Sequence, residues 1–112
     1  MISTHVLDTS TGRPATGLGV VLERQVAGGE LQPVSRARTD QDGRVRELVP
    51  ESVDLEAGTY RLTFETGAYF ETNEIEGFYP RVSILFTVRD SAQHHHVPLL
   101  LSPYGYSTYR GS

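Results

Sequence analysis

Four histidines and one arginine carry most of the chemistry available to this chain. Three of the histidines stand in a row, His94, His95 and His96, and lead into the apolar run Val97-Pro98-Leu99-Leu100-Leu101. If this segment is a strand, alternation puts His94, His96, Pro98 and Leu100 on one face and His95, Val97, Leu99 and Leu101 on the other. The second set looks like a core face, with His95 at its start. The first presents two imidazoles two residues apart on the side turned away from the core. Imidazole titrates near neutrality and is the usual general acid or base there. His5 alternates with Ile2, Thr4 and Val6, so it too faces away from the core. Arg44 directly follows Asp40-Gln41-Asp42-Gly43. A guanidinium carried on a turn can offer paired donors to a planar carbonyl or carboxylate.

Each of these features also has a plainer explanation. Strand histidines often do no more than satisfy hydrogen bonds, and arginines in turns are mostly solvated. A histidine–metal site is a third possibility, weakened because no carboxylate or cysteine stands at ligand spacing. Calcium at Asp40 and Asp42 is weaker still. Glu51 falls at the last position of an EF-hand loop, but Val45 stands where that loop needs glycine and Leu48 where it needs a ligand. The residues alone leave structural, metal-binding and catalytic roles open.

The tail is the other anomaly. Tyr104, Tyr106, Tyr109 and Arg110 crowd into the stretch that ends at Ser112. Terminal segments are normally disordered unless tied down. Aromatic β-formers running almost to the last residue predict a docked strand. An edge strand whose tyrosines merely cover the core gives the same pattern.

Composition narrows the function classes. The net charge of −4 gives no electrostatic footprint for nucleic acid or an anionic membrane. All ten cationic side chains are arginine, which excludes a lysine Schiff base, and the absence of cysteine excludes disulfides, thiol catalysis and cysteine-ligated zinc. The N-terminal residues lack the charged and apolar regions of a secretory signal, and no apolar run approaches membrane-spanning length. The closing Tyr109-Arg110-Gly111-Ser112 is not a peroxisomal address. A cytoplasmic location is expected.

The elements that must position these groups have period two. Tyr60, Leu62 and Phe64 alternate with Thr59, Arg61, Thr63 and Glu65, and Val82, Ile84, Phe86 and Val88 alternate with Ser83, Leu85 and Thr87. Such alternation is typical of half-buried antiparallel strands. Strands are expected at residues 2–8, 19–26, 31–38, 44–48, 59–65, 81–88, 94–101 and 105–110. Gly28-Gly29 reads as a hairpin turn and Asp40-Gln41-Asp42-Gly43 as a tight polar turn. Residues 66–76 lack alternation, and a short helix ending near Gly77 is expected there. The prediction is one all-β sandwich domain over residues 1–112.

Three motifs in order add a resemblance. Ser3-Thr4-His5-Val6-Leu7-Asp8, Thr39-Asp40-Gln41-Asp42-Gly43-Arg44, and the ending from His94 through Pro103 to Tyr109-Arg110-Gly111-Ser112 resemble the 5-hydroxyisourate hydrolases, enzymatic relatives of transthyretin. The likeness runs from His5 to Ser112, and the closing Tyr-Arg-Gly-Ser is its most specific part. It implies a transthyretin-like sandwich of two four-stranded sheets with one short helix after the fifth strand. It also implies a homotetramer, a dimer of dimers, with active sites in the channel where the dimers meet. The implied activity is hydrolysis of 5-hydroxyisourate to 2-oxo-4-hydroxy-4-carboxy-5-ureidoimidazoline, with no metal and no cofactor. His5 and His96 would handle the water and its proton, Arg44 the substrate's carbonyl oxygens. Tyr109, Arg110, Gly111 and Ser112 would shape and close the pocket. His95 departs from the family pattern, where tyrosine or another residue is common. A transthyretin-type carrier of small ligands is the alternative, although it has no use for paired histidines beside an arginine.

Overall fold

A computed structural model describes all 112 residues. The alternation does what it predicts. Strand β1 (Ile2–Asp8) buries Ile2, Thr4, Val6 and Asp8 and leaves His5 and Leu7 half-buried. A two-residue strand β2 (Arg13–Pro14) follows, then β3 (Gly19–Gln25) and β4 (Leu31–Arg38). They are joined through Gly28 and Gly29, whose φ angles of 93° and 87° suit a residue without Cβ. The chain continues through β5 (Arg44–Val45), β6 (Gly58–Phe64), α1 (Thr66–Thr72), β7 (Val82–Val88), β8 (His95–Ser102) and β9 (Gly105–Thr108).

Two sheets form. One runs β4-β3-β6-β7, antiparallel throughout. The other runs β2-β1-β8-β9, with β5 also paired to β1. Their inner faces make the core. Val20, Leu22, Tyr60, Leu62 and Phe64 come from the first sheet, and Ile2, Val6, Val97, Leu99 and Leu101 from the second. Phe70 of α1 joins them. Full burial of one such side chain is worth roughly 1.5–3 kcal/mol. Buried Asp8 closes one end of the core: its Oδ1 accepts from the backbone and hydroxyl of Ser10, and its Oδ2 from the Tyr69 hydroxyl at 2.9 Å. Burial and that carboxylate raise the Tyr69 phenol to about 12.

Four details differ from expectation. The central pair β1–β8 is parallel, with Ser3 opposite His96 and His5 opposite Pro98. Parallel neighbours need a long crossover, and here most of the chain lies between them. The expected strand at residues 44–48 shrinks to Arg44–Val45, because Glu47 turns its carboxylate onto the backbone amides of Ile2 and Val49. The short β2 was not foreseen and makes this the five-stranded sheet. The helix stops at Thr72, short of Gly77: Glu74 takes a φ of 57° and the amide of Ile75 donates back to the Phe70 carbonyl. Gly77 does something else, since a Cβ there would lie 2.6 Å from the Phe70 ring.

Candidate functional site

The outer face of the β1–β8–β5 region gathers the chemistry. Because β1 and β8 run parallel with Ser3 opposite His96, their outward residues fall side by side. On the other edge of β1, His5 pairs with Arg44 of β5. Arg44 reaches that register because the preceding turn is tightly held. The Asp40 carboxylate accepts the backbone amides of Asp42 at 2.8 Å and Arg44 at 3.0 Å. The Arg44 amide bond, more than any other contact, holds that carboxyl below the usual range. Gly43 at the turn's end has φ 74°, and a Cβ would sit 2.5 Å from the Val6 carbonyl oxygen. No other residue fits there without moving β1.

A cavity of about 360 Å³ opens on this face between Ser3, Arg44, His94, His96 and Ser112, with Met1 and Arg46 also in its lining. Its centre is a three-way hydrogen bond. The Ser3 hydroxyl lies 2.7 Å from His94 Nε2 and 2.7 Å from His96 Nδ1. The two rings stand 6.3 Å apart, tilted at 61°. Burial pulls the His96 imidazole below its ordinary value, and the positive charge of Arg44 adds to the effect, followed by His94 and His5. His5 is lowered in the same way, by burial first and Arg44 second, against an opposing hydrogen bond to the Asp42 backbone. Both rings are therefore neutral at pH 7, which is the form able to accept a proton.

The tail divides between two places. Ser112 borders the cavity. Gly111 pairs with His96 through its amide, which donates to the His96 carbonyl at 2.8 Å. A Cβ on Gly111 would lie 2.5 Å from His96 Cδ2, so glycine is what lets the tail press against the ring. Tyr109 and Arg110 line a second cleft of about 300 Å³ with Ile84, Leu85 and Phe86, and His96 borders it too. There the Arg110 guanidinium donates to the Gln93 side chain at 3.1 Å. His95 borders this second cleft, 5% exposed, with an Nδ1 that has no hydrogen-bond partner.

Within one chain, then, His96, Arg44 and Ser112 share a cavity. His5 stands beside them, paired to Arg44, while Tyr109 and Arg110 line the second cleft, which His96 also borders. No group of three or more His, Asp or Glu side chains converges as a metal site would need. Three polar members of the cavity were not singled out from sequence, Ser3, Thr4 and Arg46. Ser3 carried a usable signal: it is two residues before His5 and so on the same face. Its position opposite His96 depends on a parallel register that local pattern does not reveal.

Comparison with known proteins agrees with this architecture. Residues 2–111 match the model of the HIUase/Transthyretin family. Over its full length the chain is 47% identical to the 5-hydroxyisourate hydrolase of Salmonella dublin, covering 81% of that protein. The structure of Klebsiella pneumoniae 5-hydroxyisourate hydrolase superposes with a TM-score of 0.86 at 40% identity, over 99% of this chain and 97% of the other. Sea bream transthyretin in complex with thyroxine gives a TM-score of 0.91 at 27% identity, over 98% and 93%. A sandwich with these sheets, this helix and these end-to-end matches leaves one assignment: the chain belongs to the HIUase/Transthyretin family.

Proposed function

We propose that this chain hydrolyses 5-hydroxyisourate, opening its six-membered ring at a C–N bond to give 2-oxo-4-hydroxy-4-carboxy-5-ureidoimidazoline. One observation carries the proposal: neutral His96 and cationic Arg44 border one cavity. His96, with His5 nearby, orients a water and takes its proton as the water attacks a ring carbonyl carbon. General-base assistance of this kind contributes roughly 10²–10⁴ in rate. Negative charge then grows on the carbonyl oxygen, and Arg44 supplies fixed donors to it. Such preorganised donors stabilise the transition state more than the ground state. The tetrahedral centre collapses with departure of the ring nitrogen, which must receive a proton. No covalent enzyme intermediate and no cofactor enter this sequence.

Tyr109, Arg110, Gly111 and Ser112 shape the pocket, in part by way of the assembly. The proposed state is a cytoplasmic homotetramer, a dimer of dimers, whose shared channel the polar face lines. Exposed Leu85, Tyr106 and Tyr109 support association, because single chains seldom leave so many large apolar groups in water at neighbouring sheet edges. No helix of the chain is long and apolar enough to cross a membrane.

The test is ultraviolet decay of 5-hydroxyisourate generated in situ by urate oxidase. Faster decay in proportion to added protein is the expected result. Decay at the spontaneous rate, with a folded protein verified by circular dichroism, sinks the hydrolase and leaves a small-ligand carrier.

A further inference from the structure

Ser3 stands where two imidazoles meet. It is 5% exposed, while His94 is in solvent and His96 is half-buried. Its hydroxyl is within 2.7 Å of His94 Nε2 and of His96 Nδ1. A hydroxyl has one proton to donate and lone pairs with which to accept. When it donates to one of these nitrogens and accepts from the other, the contacts being Nε2 on His94 and Nδ1 on His96, the two neutral rings share one tautomer, Nδ1–H in both or Nε2–H in both. In one state His96 Nδ1–H donates to Oγ, leaving Nε2 bare to take a proton from water, and Ser3 donates to His94 Nε2. In the other state His96 carries its hydrogen on Nε2, ready to give it to a departing nitrogen.

We propose that Ser3 is a positioning residue that couples His94 and His96 into one shared tautomer and joins them into one proton path, leading from His96 to the exposed His94. What the path serves rests on the hydrolase assignment above. The protons balance. As His96 Nε2 gains a proton from water, His96 Nδ1 gives one to Ser3 Oγ and the hydroxyl proton passes to His94 Nε2. His94 releases its Nδ1 proton to solvent. His96 now holds its proton on Nε2, and when that proton goes to the leaving nitrogen the path runs in reverse, restoring the first state. The groups facing His96 favour this passage. Arg44 on β5, then His94, then His5 on β1 oppose charge on its ring, and Met1 and Ser112 line the same cavity.

Two measurements test the proposal, on the full chain. Long-range proton–nitrogen correlation spectra of ¹⁵N-histidine-labelled protein should show the same tautomer at His94 and His96, a match lost in Ser3→Ala. In 5-hydroxyisourate turnover, Ser3→Ala should lower kcat about tenfold or more with little change in KM, and Ser3→Thr, which keeps the hydroxyl, should recover most of it. Exposed His94→Ala provides a variant that does not disturb the core; its rate should fall in dilute buffer and rise with added imidazole. Wild-type kcat and pH profile in Ser3→Ala, a wild-type rate in dilute buffer for His94→Ala, or opposite tautomers in the spectra would each overturn the path. If the tautomers match and depend on Ser3 but the wild-type chain leaves 5-hydroxyisourate untouched, the linkage stands and the hydrolase assignment falls.

Discussion

His95 and His96 are neighbours on one strand and live in different chemistry. His95 points to the side of β8 that faces β7, 5% exposed, and its Nδ1 meets no partner. His96 points to the opposite side, where Ser3 fixes its Nδ1 and Arg44 shares its cavity. Both imidazoles are lowered from their ordinary value, and burial is the larger cause in each. A shifted histidine is therefore not enough to mark a site. What separates the two rings is that one has a nitrogen held in place and a free nitrogen beside a cationic side chain.

The sharpest way to break this contrast is to delete each ring in turn. His96→Ala should reduce kcat/KM by roughly 10²–10⁴ with the fold intact by circular dichroism. His95→Leu should change it less than about threefold, and by removing a buried unpaired nitrogen should cost little stability. Equal losses in the two variants would mean that the faces do not divide the chemistry.

Gly111→Ala sets a smaller perturbation on the same ring. The added methyl meets His96 Cδ2 at 2.5 Å while Ser3 holds the ring from its other side, so the ring must turn or the tail must lift. A fall in kcat of about tenfold is expected, with a stability loss of about 1 kcal/mol. Unchanged kinetics would show that the tail lies further from the ring in solution.

The smallest effects are in pH. His5 and His96 both have folded-state values below 6.5, so the acid limb of kcat/KM should fall below pH 6.5. Replacing Arg44 by Gln should move that limb upward, since the guanidinium is the second cause of both shifts. His95 gives the matching stability test. With a folded value below 6.5, it binds fewer protons native than unfolded, so stability is lost as pH falls from 6.5 through the folded value. In His95→Leu that dependence should be weaker in denaturant titrations. An unaltered slope would assign it to the other histidines.

Most of the sandwich could be read from alternation, because a strand with one buried face repeats every two residues. Tyr60, Leu62 and Phe64 are all buried, as are Val97, Leu99 and Leu101. The outward direction of His5 and His96 followed from the same rule. Residue type could not say which strands pair. Ser3 meets His96 only because β1 and β8 are parallel in that register, and Gly111 reaches His96 only because the tail continues the β9 register along β8. The short strand at Arg44–Val45 likewise depends on where one carboxylate, Glu47, finds its donors.

The pairing of β1 with β8 has a kinetic consequence. The Ser3–His94 and Ser3–His96 hydrogen bonds span 91 and 93 residues of sequence, so no local segment contains the site. Contacts this distant in the chain form late, after the entropy of closing a long loop has been overcome. A chain still being synthesised holds Ser3, His5 and Arg44 long before the strand bearing His96 exists. Partly folded or truncated chains therefore expose the separate groups but not the assembled cavity, and activity should return in refolding only with the last cooperative step.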